Sequence, residues 1–73
     1  MSKLPQVSGA EVVRALQKIG FTVRRQHGSH IILRRDNPFA QTVVPNHRQI
    51  DRGTLRAILR QTEITVDELN NLL

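Results

Sequence analysis

The sequence has no cysteine, tryptophan or tyrosine, and just two phenylalanines, Phe21 and Phe39. Without cysteine the chain can form neither disulfides nor thiolate metal sites, and it is compatible with a reducing compartment. With so few aromatic rings, stacking of bases on aromatic platforms cannot dominate any binding to nucleic acid.

Long hydrophobic runs are also missing, since no apolar segment approaches the ~20 residues that a membrane-spanning helix needs. The segment from Met1 to Pro5 is too short and too polar for a secretory signal peptide. At 73 residues with 38% hydrophobic content, the chain has enough apolar side chains for one small core. These observations predict a single domain over residues 1–73 and a cytoplasmic location.

Acidic residues are scarce in the middle of the chain, and the net charge is +5. Ten of the 11 lysines and arginines lie between Arg14 and Arg60, where only Asp36 and Asp51 oppose them. The segment after Arg60 holds three acidic residues and no basic one. A basic body favours phosphate backbones or an acidic protein as partner, but it is equally compatible with a solvated surface kept soluble by charge.

Hydrophobic periodicity and capping residues predict two main helices and a short third one. Ser8 and Glu11 form a capping-box pattern at the start of the first helix, which we expect from Gly9 to Ile19. Asp51 is the expected N-cap of the second helix. A second capping box, Thr65–Glu68, precedes the short third helix.

Three strands, over residues 21–26, 29–35 and 41–44, are predicted between the two main helices. Short turn signals separate them, so they should form an antiparallel meander. We therefore expect an α+β fold with the order α-β-β-β-α and a short extra C-terminal helix. Both main helices should cover one face of a three-stranded antiparallel sheet, in a two-layer sandwich like the double-stranded-RNA-binding domain.

Alternation along the strands predicts which side chains face the helices. In the first strand these should be Phe21 and Val23, and in the second strand Ile31 and Leu33. Because successive side chains point to opposite faces, His30 should then lie on the face away from the helices.

His30 is the strongest candidate for chemistry, and it directly follows Gly28 and Ser29. An imidazole can take or give a proton near neutral pH, and RNA carries its own nucleophile, the 2′-hydroxyl. The alternative is a histidine packed on the sheet and satisfied by one hydrogen bond. Gly28 lets the backbone turn or approach a phosphate, and Ser29 is either an orienting hydroxyl or an ordinary residue at the start of a strand.

Seven arginines are candidates for RNA binding through contacts with phosphates. They are Arg24, Arg25, Arg34 and Arg35, which flank the glycine turn, and Arg52, Arg56 and Arg60, which are spaced four apart on the second helix. The same side chains are compatible with a solvated face. The arginines of the second helix are also compatible with docking to an acidic protein surface.

The histidines do not predict a metal site. His27 and His30 stand on a turn and a strand, where they do not converge as a helical pair would, and carboxylates and thiolates are few or absent. We therefore expect no metal and no other cofactor.

Four segments resemble the HicA toxin family, also called YcfA-like, in their order and spacing. They are Leu16…Gly20-Phe21, Arg25-Gln26-His27-Gly28-Ser29-His30, Val44-Pro45-Asn46-His47 and Gly53-Thr54-Leu55-Arg56-Ala57-Ile58-Leu59. The resemblance runs from about Leu4 to Leu69, nearly the whole chain.

This resemblance implies the fold of a double-stranded-RNA-binding domain and a small toxin that cleaves messenger RNA. It also implies a partner antitoxin, HicB, that binds the toxin and blocks it. In that family the histidine of the Gly-Ser-His motif is catalytic, which corresponds to His30, with Gly28 and Ser29 as the supporting residues. His47 lies in the Pro-x-His stretch of the family and receives no assigned role.

Residues and resemblance together predict the toxin of a type II toxin–antitoxin system, acting as a metal-independent endoribonuclease, or mRNA interferase. His30 would be its general acid or base, single-stranded messenger RNA its substrate, and a HicB-type protein its inhibitor. Two alternatives stay open: a non-catalytic RNA-binding module of the same fold, and a basic protein-interaction module.

Overall fold

The computed structural model describes residues 3–73, which form three helices around a three-stranded sheet. The elements are α1 (Gly9–Gln17), β1 (Thr22–His27), β2 (His30–Asp36), β3 (Phe39–Pro45), α2 (Arg52–Thr62) and α3 (Val66–Leu72). This confirms the predicted α+β fold, its α-β-β-β-α order and the short terminal helix. Within the described range, none of the helices is long and apolar enough to cross a membrane.

Reciprocal side-chain caps start α1 and α3, as the sequence predicts. The Ser8 N–H donates to Glu11 Oε1 at 2.9 Å, and the Glu11 N–H donates back to Ser8 Oγ at 3.1 Å. Thr65 and Glu68 repeat the arrangement at 2.8 and 3.0 Å. Two hydrogen bonds lower the pKa of the Glu11 carboxyl below its ordinary value. The bond from the Ser8 backbone N–H has the larger effect, and the bond with the Ser8 hydroxyl has the smaller one. The helix α1 ends at Gln17, two residues earlier than predicted.

The sheet is an antiparallel meander with β2 in the centre and the spatial order β1-β2-β3. Ile31 lies opposite Val44 and Leu33 opposite Thr42, and all four side chains are buried. Since directly opposed residues share a face, these four mark the face that the helices cover. The prediction that His30 lies on the other face is thereby confirmed.

The core lies between this face of the sheet and the helices. Its buried apolar residues are Leu4, Val7, Val12, Ala15, Leu16, Phe21, Ile31, Leu33, Ala40, Val44, Ile50, Leu55, Ile58, Leu59 and Leu69. They come from every element except β1, and the segment before α1 contributes two of them. That segment is also tied to the loop before α2, because the Ile50 N–H donates to the Val7 carbonyl at 2.8 Å. The loop that precedes α2 is therefore held in two ways, by the burial of Ile50 in the core and by this hydrogen bond to the segment before α1.

Strand β1 differs from its prediction, because all six of its residues are exposed. Phe21, just before the strand, is 2% exposed and buried as predicted. Val23 lies opposite Leu33 and shares its face, yet it is 43% exposed. The helices do not cover the outer edge of the sheet at this position, so the prediction that Val23 packs against a helix is wrong.

A β-bulge interrupts β1 and decides which arginine faces which side. The register shifts between Val23 and Arg25, so Arg24 is the extra residue. Beyond the bulge Arg25 lies opposite Ile32, on the same face as His30. Without this bulge, simple alternation would place Arg24 rather than Arg25 on that face.

Candidate functional site

The site is built on the turn between β1 and β2, where Gly28 and Ser29 form a two-residue loop. Gly28 has a φ of +57°, in the left-handed region that favours glycine, and a glycine first in a two-residue loop is typical of a type II′ turn. Beyond the adjoining residues, no atom lies within 4 Å of the place where a Cβ on Gly28 would stand, so backbone conformation explains the glycine. The turn places His27 directly opposite His30.

His30 is exposed on the face of the sheet that the helices leave uncovered, which we call the open face. By register the polar and charged residues of the open face are Thr22, Arg25, His27, His30, Arg34, Asp36 and Gln41. The structure therefore brings an accessible imidazole onto the same face as two guanidinium groups. This arrangement differs from the alternative in which His30 is packed on the sheet and covered.

Beside His30 the open face ends in a hollow of about 320 Å³, at the place where the sheet meets the first turn of α2. The lining residues are His30, Val43, Pro45, His47, Asp51 and Thr54. The hollow thus joins two imidazoles, one carboxylate and one hydroxyl around an apolar wall. The two imidazoles of this group can exchange protons with a substrate that enters the hollow.

Asp51 serves as the N-cap of α2, as predicted, and its side chain also lines the hollow. Its Oδ2 accepts from the N–H groups of Gly53 at 3.1 Å and Thr54 at 3.4 Å. These bonds satisfy donors that the first turn of a helix cannot pair internally. One carboxylate oxygen of Asp51 is therefore engaged in holding the wall of the hollow in place.

Backbone contacts fix the loop that carries His47 against both the hairpin turn and α1. The Asn46 N–H donates to the Ser29 carbonyl at 2.6 Å, and the Gly9 N–H donates to the His47 carbonyl at 2.9 Å. A Cβ on Gly9 would overlap the carbonyl oxygen of Pro45 and stand 2.9 Å from the Asn46 Cα. Only glycine allows α1 to approach the loop this closely, and the backbone segments of His30 and His47 are held in a fixed relation.

The four arginines near the turn do not form one cluster. Arg25 and Arg34 lie on the open face with His30, and Arg24 is the extra residue of the bulge. Arg34 Nε lies 2.9 Å from Asp36 Oδ1 in an ion pair that orients the guanidinium on the sheet. Arg25 and Arg34 are therefore the two arginines of β1 and β2 that share a face with His30.

Arg35 lies on the opposite side of the sheet and has contacts of its own. Its guanidinium carbon stands 4.6 Å from the ring centroid of Phe21, at cation–π distance. Its Nε donates to the Pro38 carbonyl at 3.0 Å and its Nη1 to the Ile19 carbonyl at 3.3 Å. Arg35 joins the second hairpin to the end of α1 and does not belong to the His30 surface.

The arginines of α2 form an exposed stripe that begins beside the hollow and runs away from it. Arg52 follows the hollow residue Asp51, whereas Arg60 stands two turns further, about 12 Å along the helix axis. Arg56 and Arg60 line a separate groove of about 400 Å³ at the far end of α2. The stripe can thus follow an extended ligand away from His30 rather than surround that residue.

The sequence motifs indicate His30 and its turn, but they do not bring His47, Asp51 and Thr54 into the same site. Two sequence features point to these residues: the Pro-x-His stretch that contains His47, and the N-cap residue Asp51 soon after it. Gly9 was predicted as a helix residue, although a glycine in the first turn, where alanine is the better helix former, already indicates a close backbone contact. Among residues 3–73, no three or more histidine, aspartate or glutamate side chains are arranged to hold a metal ion.

Comparison with known proteins gives one family. A family model described as HicA toxin of bacterial toxin–antitoxin matches residues 9–64, most of the 73-residue chain. The matched segment contains the whole sheet, α2 and every residue that lines the hollow. No curated protein matches the sequence.

Proposed function

The chain belongs to the HicA toxin family of bacterial toxin–antitoxin systems, and we propose that it acts as an endoribonuclease that cleaves messenger RNA. Its role as a toxin follows from the family. The observation that carries the proposed activity is His30, exposed on the open face with Arg25 and Arg34 and lining the hollow.

The proposed chemistry is proton transfer at one phosphodiester. His30 acts as general base or acid while the ribose 2′-hydroxyl attacks the neighbouring phosphorus, a reaction that needs no metal ion. Negative charge builds on the phosphorane-like transition state. The guanidinium group of Arg25, which lies on the same face of the neighbouring strand, stabilises that charge. Arg34, further along β2 and paired with Asp36, binds a phosphate away from the reacting one.

The open face suits single-stranded RNA. An exposed strand can present a 2′-hydroxyl and its phosphate to His30, whereas in a duplex the backbone geometry is constrained. We assign phosphate contacts to Arg25 and Arg34 along the open face, and to the α2 stripe, which begins with Arg52 beside the hollow. The exposed aromatic ring on the open face is Phe39, which lies opposite Asp36 at the end of β2 away from His30. Because a single ring far from His30 offers little base stacking, we expect weak sequence preference.

A HicB-type antitoxin is the proposed inhibitor. A partner that lays an acidic surface over the open face would cover His30 and neutralise the arginines that bind phosphate. The segment after Arg60 has three acidic residues and no basic one. An acidic partner should therefore bind the basic part of the chain that contains His30 rather than the C-terminal segment.

Expression in bacteria tests the proposed activity with a matched pair of variants. His30→Ala should abolish growth arrest and transcript cleavage, whereas His27→Ala, an imidazole removed from the opposing position of the same hairpin, should retain both. Purified His30→Ala should keep the melting temperature and RNA affinity of the unmodified protein. Transcript cleavage by His30→Ala at the unmodified rate would reject His30 as the catalytic residue.

Binding of the purified protein to RNA separates the two alternatives. A plot of log Kd against log salt concentration should be linear with a steep slope, because phosphate contacts release counterions. RNA binding without cleavage by the unmodified protein would indicate the non-catalytic module. No RNA binding at low salt would indicate a module that binds only an acidic protein.

A further inference from the structure

The structural contacts of His47 come from its backbone and leave its imidazole free for another task. Its carbonyl accepts from Gly9 at 2.9 Å, and its N–H donates to the Pro45 carbonyl at 2.8 Å. The side chain is exposed and lines the hollow together with that of His30. An exposed imidazole that lines the hollow, on a loop whose backbone is held in place, is positioned for contact with a ligand.

We propose that His47 is a second catalytic residue, which protonates the leaving group while His30 acts as the base. This inference rests on the ribonuclease function proposed above. His30 takes the proton of the 2′-hydroxyl, the 2′-oxygen bonds to phosphorus, and the bond from phosphorus to the 5′-oxygen breaks. The His47 imidazolium gives its proton to that 5′-oxygen. The products are a 2′,3′-cyclic phosphate and a 5′-hydroxyl, and solvent returns both rings to their starting states.

The geometry of the hollow supports a division of labour between two groups. In-line displacement places the attacking and leaving oxygens on opposite sides of phosphorus, so one side chain cannot easily serve both. His30 reaches the hollow from the end of β2, and His47 reaches it from the loop before α2. A volume of about 320 Å³ matches the lower end of small-ligand sites, roughly 300–1,000 Å³. It accommodates a phosphate and the ribose atoms next to it.

The two histidines stand on segments that are tied together. The bond from Asn46 to the Ser29 carbonyl links the residue before each histidine, and Gly9 holds the loop from its other side. Fixed spacing of an acid and a base is what a proton-transfer pair requires. His27, the third imidazole, lies opposite His30 on the sheet but does not line the hollow, and it therefore provides the matched control.

The test compares an RNA oligonucleotide that the protein cuts at one position with its counterpart carrying sulfur in place of the leaving 5′-oxygen. A thiolate leaves without protonation, so the acid is dispensable on the sulfur substrate. We expect His47→Gln to lose roughly 10²-fold or more in cleavage rate on the RNA and to recover most of it on the sulfur substrate. His30→Gln should be impaired on both substrates, and His27→Gln on neither.

The pH profile gives a second readout, which a purely structural role would not change. Loss of the acid should remove the decline in rate on the alkaline side, since that decline reports deprotonation of the donor. His47→Asn repeats the comparison with a shorter side chain, and RNA affinity and melting temperature confirm that each variant is folded.

The inference is overturned by full activity of the His47 variants on RNA, by an equal loss on both substrates, or by the leaving-group signature in His27→Gln. Recovery of His30→Gln on the sulfur substrate would reverse the roles and overturn the assignment of His47 as the acid. Full activity of His30→Gln on both substrates is a separate outcome, because it rejects the proposed ribonuclease site itself.

Discussion

Gly9→Ala is expected to destabilise the protein, although alanine is the better helix former. Gly9 is the first residue of α1, and in a free helix the substitution would gain up to ~1 kcal/mol. Here the new Cβ would overlap the Pro45 carbonyl oxygen, and it would stand 2.9 Å from the Asn46 Cα. Both obstacles are backbone atoms, which cannot rotate away as the end of a side chain can.

The magnitude follows from the need to move α1 away from the loop before α2. Overpacking of this kind costs about 1–3 kcal/mol, and part of the gain in helix propensity offsets it, so we expect a net loss of about 1–2 kcal/mol. For a domain of this size that corresponds to a fall in melting temperature of roughly 5–15 °C. Cleavage should also slow well below the melting temperature, because the displaced loop carries His47.

Urea denaturation and thermal melting measure the effect, and Gly53→Ala is the control. Gly53 also stands in a first helical turn, but its Cβ would meet only the capping oxygen Asp51 Oδ2, at 3.2 Å. In Gly53→Ala some weakening of that cap should offset the gain in helix propensity. We expect its stability within about 1 kcal/mol of the unmodified protein. A Gly9→Ala protein as stable as the Gly53→Ala protein would refute the close contact between α1 and the loop.

Three further predictions concern charged residues. Arg35→Lys should lower the free energy of unfolding by about 1–2 kcal/mol in urea denaturation. Lysine lacks the planar guanidinium that stacks over Phe21 and donates to the Pro38 and Ile19 carbonyls at the same time. Arg25→Gln should instead leave stability unchanged and lower the slope of log Kd for RNA against log salt by about 0.7, the loss of one phosphate contact. The capping carboxyl of Glu11 has a lowered pKa, so its contribution is complete above the ordinary carboxylate range and is lost as pH falls through the folded-state value. The stability difference between the unmodified protein and Glu11→Gln should therefore shrink on acidification, as denaturation at several pH values will show.

Local rules predicted the elements of this fold well, because its helix starts and turns carry distinct side chains. Ser8 and Thr65 formed the caps that their spacing indicated. The alternation of Ile31 and Leu33 correctly predicted which side chains of β2 face the helices, and hence that His30 faces away from them. Central strands are buried on one side along their whole length, so periodicity and burial agree there.

The errors occurred where tertiary contacts override local pattern. Val23 has the alternation of a buried residue, but it lies on an edge strand that the helices do not cover. The bulge at Arg24, which places Arg25 on the open face, has no marker in the sequence. The position of Arg35 over Phe21 depends on contacts between elements distant in the sequence.

The residues of the candidate site could be selected from the sequence only in part, for the same reason. His30 and its glycine turn are contiguous in sequence, so motif and chemistry together select them. His47 and Asp51 reach the hollow only because α1 and the hairpin turn hold the intervening loop. Nothing in the sequence spacing of His47 and Asp51 indicates that these contacts bring them beside His30.

Whether His30 cleaves RNA without a metal ion is measured by the cleavage rate of the purified protein in the presence of a chelator, compared with that of His30→Gln. We expect the unmodified protein to cut under these conditions. We expect His30→Gln to cut roughly 10²-fold or more slowly, with RNA affinity and melting temperature unchanged. Equal rates for the two proteins, or cleavage that the chelator abolishes, would contradict the role of His30 as a catalyst that needs no metal ion.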